Sequence, residues 1–313
     1  MTKYARISGS GIFLPETIVG NREIEKDLGL DSGWIERRTG IKERRYALDR
    51  KIEDLYVEAS LSAVRSCNPK TIDTIVVCWD VQSESRGLPV PAIIHKALKT
   101  ETDAREVDYI EGFHYCTGFL KGLDYARLRI EGGRSEGALV VAASKLSDYF
   151  HQNQKETSVL WGDGAGALVL EPSDTSEFIG YAYHSEMDEY FKYTTEKNGK
   201  ISIQMNGQKI YRLVVNQVPR NIRKLFDNSD CRIEDTKLFL LHQANGRMLR
   251  RIQEELGLKD EQMFLNLPHY GNMGVASLPV LYHETRDMLK KGDLYVLCGF
   301  GRGISVNSLL LRK

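Results

Sequence analysis

The residues whose types and spacing suit covalent chemistry are Cys116, His242 and Asn272. Cys116 stands in Gly112-Phe113-His114-Tyr115-Cys116-Thr117-Gly118-Phe119, and beyond it Phe119, Leu123, Ala126 and Ile130 recur at helical spacing. This spacing predicts that the cysteine opens a buried amphipathic helix. There, free N–H groups and the helix dipole favour a thiolate, and a thiol with a depressed pKa is a nucleophile near neutral pH. His242 ends the apolar run Leu238-Phe239-Leu240-Leu241 and opens His242-Gln243-Ala244-Asn245-Gly246-Arg247. Such strand-to-helix junctions are where open α/β sheets place ligand chemistry. Asn272 follows Gly271 and precedes Met273-Gly274-Val275-Ala276. Taken singly, each has a plainer reading: an inert buried cysteine, a strand-end histidine capping the next helix, an N-cap asparagine. Together they form a nucleophile with two N–H donors able to hold an enolate or oxyanion. Cys67, Cys78, Cys231 and Cys298 lack such a setting and read as structural.

The elements that must position these residues read as α/β. Near-continuous apolar runs at Thr74-Ile75-Val76-Val77-Cys78-Trp79, Gly137-Ala138-Leu139-Val140-Val141-Ala142-Ala143, Lys237-Leu238-Phe239-Leu240-Leu241 and Leu294-Tyr295-Val296-Leu297-Cys298-Gly299 suit strands buried on both faces. Helical patterns alternate with them, which points to crossover units. The two halves share an order: loop, helix, glycine turn, strand, then a glycine-rich element, first around Cys116 and again around Asn272. The pattern is that of a duplication, with halves 1–171 and 172–313 meeting near Glu171-Pro172-Ser173-Asp174 and a site assembled between them.

Composition narrows the function classes. Lys+Arg and Asp+Glu both total 43 in 313 residues, so the basic excess usual in nucleic-acid binders is missing. No run approaches the ~20 apolar residues of a membrane span, and residues 1–7 carry no signal-peptide core. Five scattered cysteines without a C-x-x-C pair argue against a disulfide framework and against a metal site, and make a reducing cytoplasm the simplest location.

The motifs resemble the ketoacyl-ACP synthase III family of thiolase-fold condensing enzymes. The resemblance rests on Trp34-Ile35-Glu36-Arg37-Arg38-Thr39-Gly40-Ile41-Lys42-Glu43-Arg44, Cys116-Thr117-Gly118-Phe119, Gly162-Asp163-Gly164-Ala165-Gly166-Ala167, His242-Gln243-Ala244-Asn245, and Tyr270-Gly271-Asn272 with Gly299-Phe300-Gly301-Arg302-Gly303, in the family's order. It implies two βαβαβαββ halves in a five-layered αβαβα core. The implied reaction joins an acyl-CoA primer to malonyl-ACP through a Cys116 acyl-enzyme, with His242 and Asn272 supporting decarboxylation. It also implies Trp34 and Arg38 against the CoA adenine, and Met205, Gly207, Ala244, Asn245 and Arg247 along the pantetheine. Backbone N–H groups of Cys116 and Arg302 would hold the oxyanion. No cofactor or metal is implied; the partners are acyl carrier protein, CoA thioesters and a second copy of the chain, in a cytoplasmic fatty acid synthesis role. The Gly162-x-Gly164-x-Gly166 spacing mimics part of a dinucleotide fingerprint, but its flanks read as strand-turn-strand, without the helix the fingerprint needs.

Several features depart from the family pattern. Phe113, His114 and Tyr115 stand where it has small residues, and Arg302 stands for a glycine. Cys78-Trp79-Asp80 and the segment 81–86 are individual, and Val90 lies near the position that reaches across the family's dimer. An acyl group other than acetyl follows as an expectation, with Arg86 or Arg302 available to a carboxylated chain, although surface roles are simpler. Alternatives are a starter-unit synthase for a biotin precursor or secondary metabolite, a plain acyltransferase, and a non-catalytic partner subunit. Basic faces with Arg212, Arg220, Arg223 and Lys224, and with Arg247, Arg250 and Arg251, suit an acidic carrier protein or plain solvation.

Overall fold

A computed structural model describes residues 4–80, 88–102, 106–148, 155–186, 190–195, 201–301 and 305–313. In chain order the first half runs β1 (Tyr4–Phe13), β2 (Thr17–Gly20), α1 (Asn21–Asp27), α2 (Trp34–Thr39), β3 (Glu43–Tyr46), α3 (Ile52–Cys67), β4 (Thr74–Trp79), α4 (Val90–Leu98), β5 (Asp108–His114), α5 (Gly118–Glu131), β6 (Ala138–Ser144), α6 (Lys155–Ser158) and β7 (Gly164–Ser173). The second runs β8 (Phe178–Ser185), β9 (Phe191–Thr195), β10 (Ile201–Met205), α7 (Gly207–Asp227), β11 (Thr236–Leu241), α8 (Gly246–Leu256), α9 (Leu267–Tyr270), α10 (Ser277–Thr285), β12 (Leu294–Gly301) and β13 (Ser305–Arg312).

Two sheets carry the fold, ordered β1-β7-β6-β4-β5 and β8-β13-β12-β11. Their topologies superimpose. β1 and β7 pair antiparallel, as do β8 and β13; β7 and β6 pair antiparallel, as do β13 and β12; β6 and β4 run parallel, as do β12 and β11. The first sheet adds β5, parallel to β4, at its outer edge. The chain passes from one sheet to the other between Ser173 and Phe178.

The layering follows from which faces are apolar. Strands such as β4 and β6 are buried almost throughout and need cover on both sides. α5 and α10 lie between the sheets, touching strands of both. Their residues Phe119, Leu123, Ala126, Leu278, Leu281 and Tyr282 pack with Val76, Val140, Leu240 and Leu297 in one central cluster. α3 and α4 cover the outer face of the first sheet. α7 covers the outer face of the second and packs against α8. The sequence is therefore helix, sheet, helix, sheet, helix.

Two expectations need correction. The glycines at 162–166 do not join two strands: α6 precedes them, Trp161 makes an isolated bridge with Asn272, and Gly164 already belongs to β7. The physical reason is close packing, since a Cβ on Gly166 would lie 2.8 Å from Pro279 of α10. Val90 opens α4 and is buried within its own chain, in the cluster under α3, instead of projecting outward. Among the described residues no helix is long and apolar enough to cross a membrane.

Candidate active site

One cavity of about 380 Å3 lies where the two sheets present their strand ends. Asp80 follows β4, Cys116 follows β5, His242 follows β11, and Phe300 and Gly301 end β12; all line it, together with Asn272 and Gly274. Trp34, Arg38, Met205, Gly207, Ala244, Asn245 and Arg247 line it as well. Every sequence-derived site residue within the described set thus meets in one space. Arg302 and Arg86 lie outside the described residues.

Cys116 stands two residues before α5, whose first turn closes with a Gly118 N–H to Tyr115 C=O bond of 2.7 Å. Tyr115 takes a left-handed φ of 61°, a costly conformation for a bulky residue, and this kink turns the chain from edge strand to helix. From the other side β12 crosses the cysteine so closely that a Cβ on Gly301 would sit 3.0 Å from Cys116 Sγ. The depressed thiol pKa expected from the helix start does not hold. Loss of solvent within the cavity pushes the Cys116 thiol up, the Asp80 charge adds to this, and only a backbone hydrogen bond opposes them.

His242 is 1% exposed, its backbone N–H donates to Cys298 C=O at 2.8 Å, and its ring lies edge-on to Phe300 at 5.4 Å. Burial pushes its pKa down to about 3, so the imidazole is neutral at physiological pH. Among the described residues its Nδ1 has no hydrogen-bond partner. Asn272 is locked by its backbone: its N–H donates to Leu160 C=O at 2.8 Å, and its C=O accepts from Gly162 N–H at 3.1 Å. Its Oδ1 accepts from Gly274 N–H at 2.9 Å. The amide oxygen is therefore engaged, and the NH2 is the end left to serve the cavity. Gln243, next to His242, ties the end of β11 to the start of α9, because its Oε1 accepts from Asn266 and Leu267 N–H at 3.2 and 3.1 Å while its Nε2 donates to Leu241 C=O at 2.8 Å.

At the mouth, the Arg38 guanidinium lies 5.5 Å from the Trp34 ring centroid, a stacked pair suited to a purine face. Buried Glu25 sets this pair by accepting from Gly33 and Ile35 N–H, each at 2.9 Å, at the start of α2. Asn245 caps α8, its Oδ1 accepting from Arg247 N–H at 2.9 Å. The helices touch backbone to backbone: a Cβ on Gly246 would lie 2.9 Å from Thr39 C=O, and one on Gly40 3.4 Å from Gly246 Cα. On the basic face of α8, Arg251 is compensated by Glu254 at 3.1 Å and by Glu255, which leaves Arg247 and Arg250 as its effective cations among the described residues.

Asp80 and Tyr115, from the two segments expected to flank the acyl space, line the cavity, and Trp161 and Phe300, which the sequence did not assign to it, line it too. Beside the nucleophile lies an aromatic run, with Trp79 and His114 edge-on at 4.0 Å and His114 and Tyr115 at 6.1 Å.

Comparison with known proteins agrees with this arrangement. Residues 113–187 match the family described as 3-Oxoacyl-[acyl-carrier-protein (ACP)] synthase III, and 226–313 match its C-terminal family. Beta-ketoacyl-[acyl-carrier-protein] synthase III of Aquifex aeolicus is 30% identical over 98% of this chain and 99% of the relative; that of Helicobacter pylori (strain Shi470) is 32% identical over 99% and 98%. The crystal structure of the Aquifex aeolicus VF5 3-oxoacyl-[acyl-carrier-protein] synthase III superposes with a TM-score of 0.90 at 29% identity, covering 99% of this chain and 100% of that one. The priming β-ketosynthase of the R1128 polyketide pathway superposes with a TM-score of 0.90 at 26% identity, covering 99% and 96%. Xanthomonas campestris OleA, at 16% identity and a TM-score of 0.85, shares the fold. The chain belongs to the β-ketoacyl-[acyl-carrier-protein] synthase III family of thiolase-fold condensing enzymes.

Proposed function

We propose that this enzyme makes a 3-ketoacyl-ACP by decarboxylative condensation of an acyl-CoA with malonyl-ACP, as a step of cytoplasmic fatty acid synthesis. The observation that carries the reading is the convergence of Cys116, His242 and Asn272 on one cavity whose mouth holds the Trp34–Arg38 stack. The Cys116 sulfur attacks the acyl carbonyl carbon; the C–S bond to CoA breaks, and CoA leaves with the thiol proton. The backbone N–H of Cys116 serves the oxyanion between these events. Malonyl-ACP then enters, and the carboxylate leaves as CO2. The electron pair of the broken C–C bond passes into an enolate whose oxygen accepts from His242 and Asn272. The enolate carbon attacks the acyl carbonyl, and the Cys116 thiolate departs. A neutral His242 is the form this step needs, with one ring nitrogen carrying the proton that it donates to the enolate oxygen.

Trp34 and Arg38 take the adenine, and Met205, Gly207, Ala244, Asn245 and Arg247 take the pantetheine. Arg247 and Arg250, with Arg212, Arg220, Arg223 and Lys224 exposed on α7, form the face for acidic carrier protein. The partly exposed strand β5, at the end of its sheet, is the surface for a second copy of the chain. Tyr115 and its aromatic neighbours favour a specialised primer over acetyl.

Intact-mass measurement after exposure to a panel of acyl-CoAs tests the reading. Wild type gains the mass of one acyl group, Cys116→Ala gains none, and malonyl-ACP then releases CO2 from the acylated protein. Absence of any acyl gain would overturn the assignment of the nucleophile, and acylation without CO2 release would reduce the enzyme to an acyltransferase.

A further inference from the structure

Asp80 is a carboxyl group at the centre of the site that the condensation does not use. It lines the cavity with Cys116, His242 and Asn272 and is 8% exposed. Its Oδ1 and Oδ2 accept from Val275 N–H at 3.1 and 3.0 Å, and Oδ2 also accepts from Ser144 Oγ at 2.7 Å. Both donors are neutral. The contact joins the halves: Asp80 and Ser144 end adjacent strands of the first sheet, while Val275 belongs to the turn that follows Asn272. That turn fits closely around the carboxyl, because a Cβ on Gly274 would lie 1.9 Å from Asp80 Oδ2. Gly274 is also the residue whose N–H orients the Asn272 amide.

We propose that Asp80 is a positioning residue for condensation, a carboxyl clasp that fixes the Asn272 turn against the sheet carrying Cys116. The proposal rests on the reading that Asn272 assists decarboxylation. It separates the half-reactions: acyl uptake needs Cys116 and its backbone donors, whereas decarboxylation needs the Asn272 amide in register with them. The clasp also carries charge. Among the described residues, the titratable groups that face Asp80 are the Cys116 thiol on the β5–α5 turn and the Tyr56 phenol on α3. Burial raises the Asp80 pKa to about 6, and its ionised form disfavours a thiolate at Cys116.

The test measures the two half-reactions separately in Asp80→Ala, Asp80→Asn and Gly274→Ala: acyl uptake by intact mass, and CO2 release from malonyl-ACP by pre-acylated enzyme. In Asp80→Ala, CO2 release falls about 30-fold or more and acyl uptake less than about threefold, the scale on which small displacements of a catalytic group act. Asp80→Asn still accepts from Val275 and recovers CO2 release to within about threefold of wild type, while alkylation of Cys116 by iodoacetamide moves to lower pH because a carboxylate beside the sulfur has gone. Gly274→Ala, which meets the carboxyl and strains a left-handed φ of 49°, loses CO2 release alone and keeps only the backbone part of that loss in the Asp80→Ala background, where the carboxyl it would strike is missing. Equal losses in both half-reactions, or none in either, would overturn the clasp, as would fully additive Gly274→Ala. If Asp80→Ala does not fold, Gly274→Ala decides, and wild-type CO2 release by that variant refutes the proposal. A wild type that takes up acyl groups yet releases no CO2 refutes the condensation reading and the clasp with it; a wild type that releases CO2 beside an unimpaired Asp80→Ala refutes the clasp alone.

Discussion

Replacing Gly301 by alanine tests how the nucleophile is held. Gly301 ends β12, and a Cβ there would lie 2.9 Å from Cys116 Cβ and 3.0 Å from Sγ. Uncompressed carbon–carbon contacts begin near ~3.5 Å, so about half an ångström must be found by moving the strand or the cysteine. β12 is paired with β11 as far as Cys298 and with β13 through Gly301, and is the stiffer element. The sulfur therefore moves. Misplacement of a reacting group by ~1 Å costs ~100-fold, so half of that predicts a loss of about 10-fold or more in acyl uptake, equivalent to ~1.4 kcal/mol or more of activation free energy. The overpacking costs about 1–3 kcal/mol of stability, visible as a lowered melting temperature with a folded baseline. The assay is a time course of acyl-enzyme mass at saturating acyl-CoA. Acylation within about threefold of wild type would refute the claim that the Gly301 backbone sets the sulfur's position.

Other outcomes follow from the same geometry. His242 ionises near 6.5 when unfolded and near 3 when folded, so the unfolded chain binds the extra proton between these values and stability falls as pH drops through that window. By pH 5 this amounts to about 2 kcal/mol, and His242→Gln flattens that part of the urea-unfolding profile between pH 7 and 5; an unchanged slope would contradict the burial argument. Asp80 works in the opposite direction, its contribution being full below about 4 and lost as pH rises through about 6, so Asp80→Asn gains stability relative to wild type at pH 7. Trp34→Ala removes the adenine platform and raises KM for acyl-CoA about tenfold with kcat within about twofold, whereas equal changes in both would place Trp34 elsewhere. Tyr115→Gly removes a left-handed non-glycine residue and its ring; the acyl panel shifts towards bulkier CoA thioesters, and an unchanged panel would show that this ring does not bound the acyl space. Arg220→Glu with Arg250→Glu weakens use of malonyl-ACP in a salt-dependent manner and leaves acyl-CoA uptake by mass less affected; salt-insensitive kinetics would remove the docking face.

Much of the fold was legible because its signals are local. The run at 74–79 is β4 as read, and those at 137–143, 237–241 and 294–299 fall on β6, β11 and β12 with ends displaced by one or two residues. The repeated order of helix, glycine turn and strand corresponds to sheets with the same pairing pattern. The meeting of Cys116, His242 and Asn272 in one cavity was legible because each stands at the end of such an element. The contacts of Asp80 were not, since a lone acid after a strand resembles any loop residue and its partners lie 64 and 195 positions away. The direction of the thiol shift was misread for the same reason. A helix start is visible in sequence, but the close cover of β12 over Cys116 and the charge of Asp80 beside it are delivered only by the tertiary fold. Tyr115 carried no turn signal, because a left-handed φ is anticipated at glycine or asparagine and not at tyrosine.

The contact between Gly40 and Gly246 divides what this scaffold can vary from what it cannot. No side chain fits between α2 and α8, so Trp34 and Arg38 on one and Asn245 and Arg247 on the other form a single block, and the entrance has a set bore. A substitution that widened the entrance would have to separate two backbones, whereas one at Tyr115 need only reshape a wall. Descendants of this chain that take up new donors are expected to keep the handle by which all of them are grasped and to change the floor of the cavity.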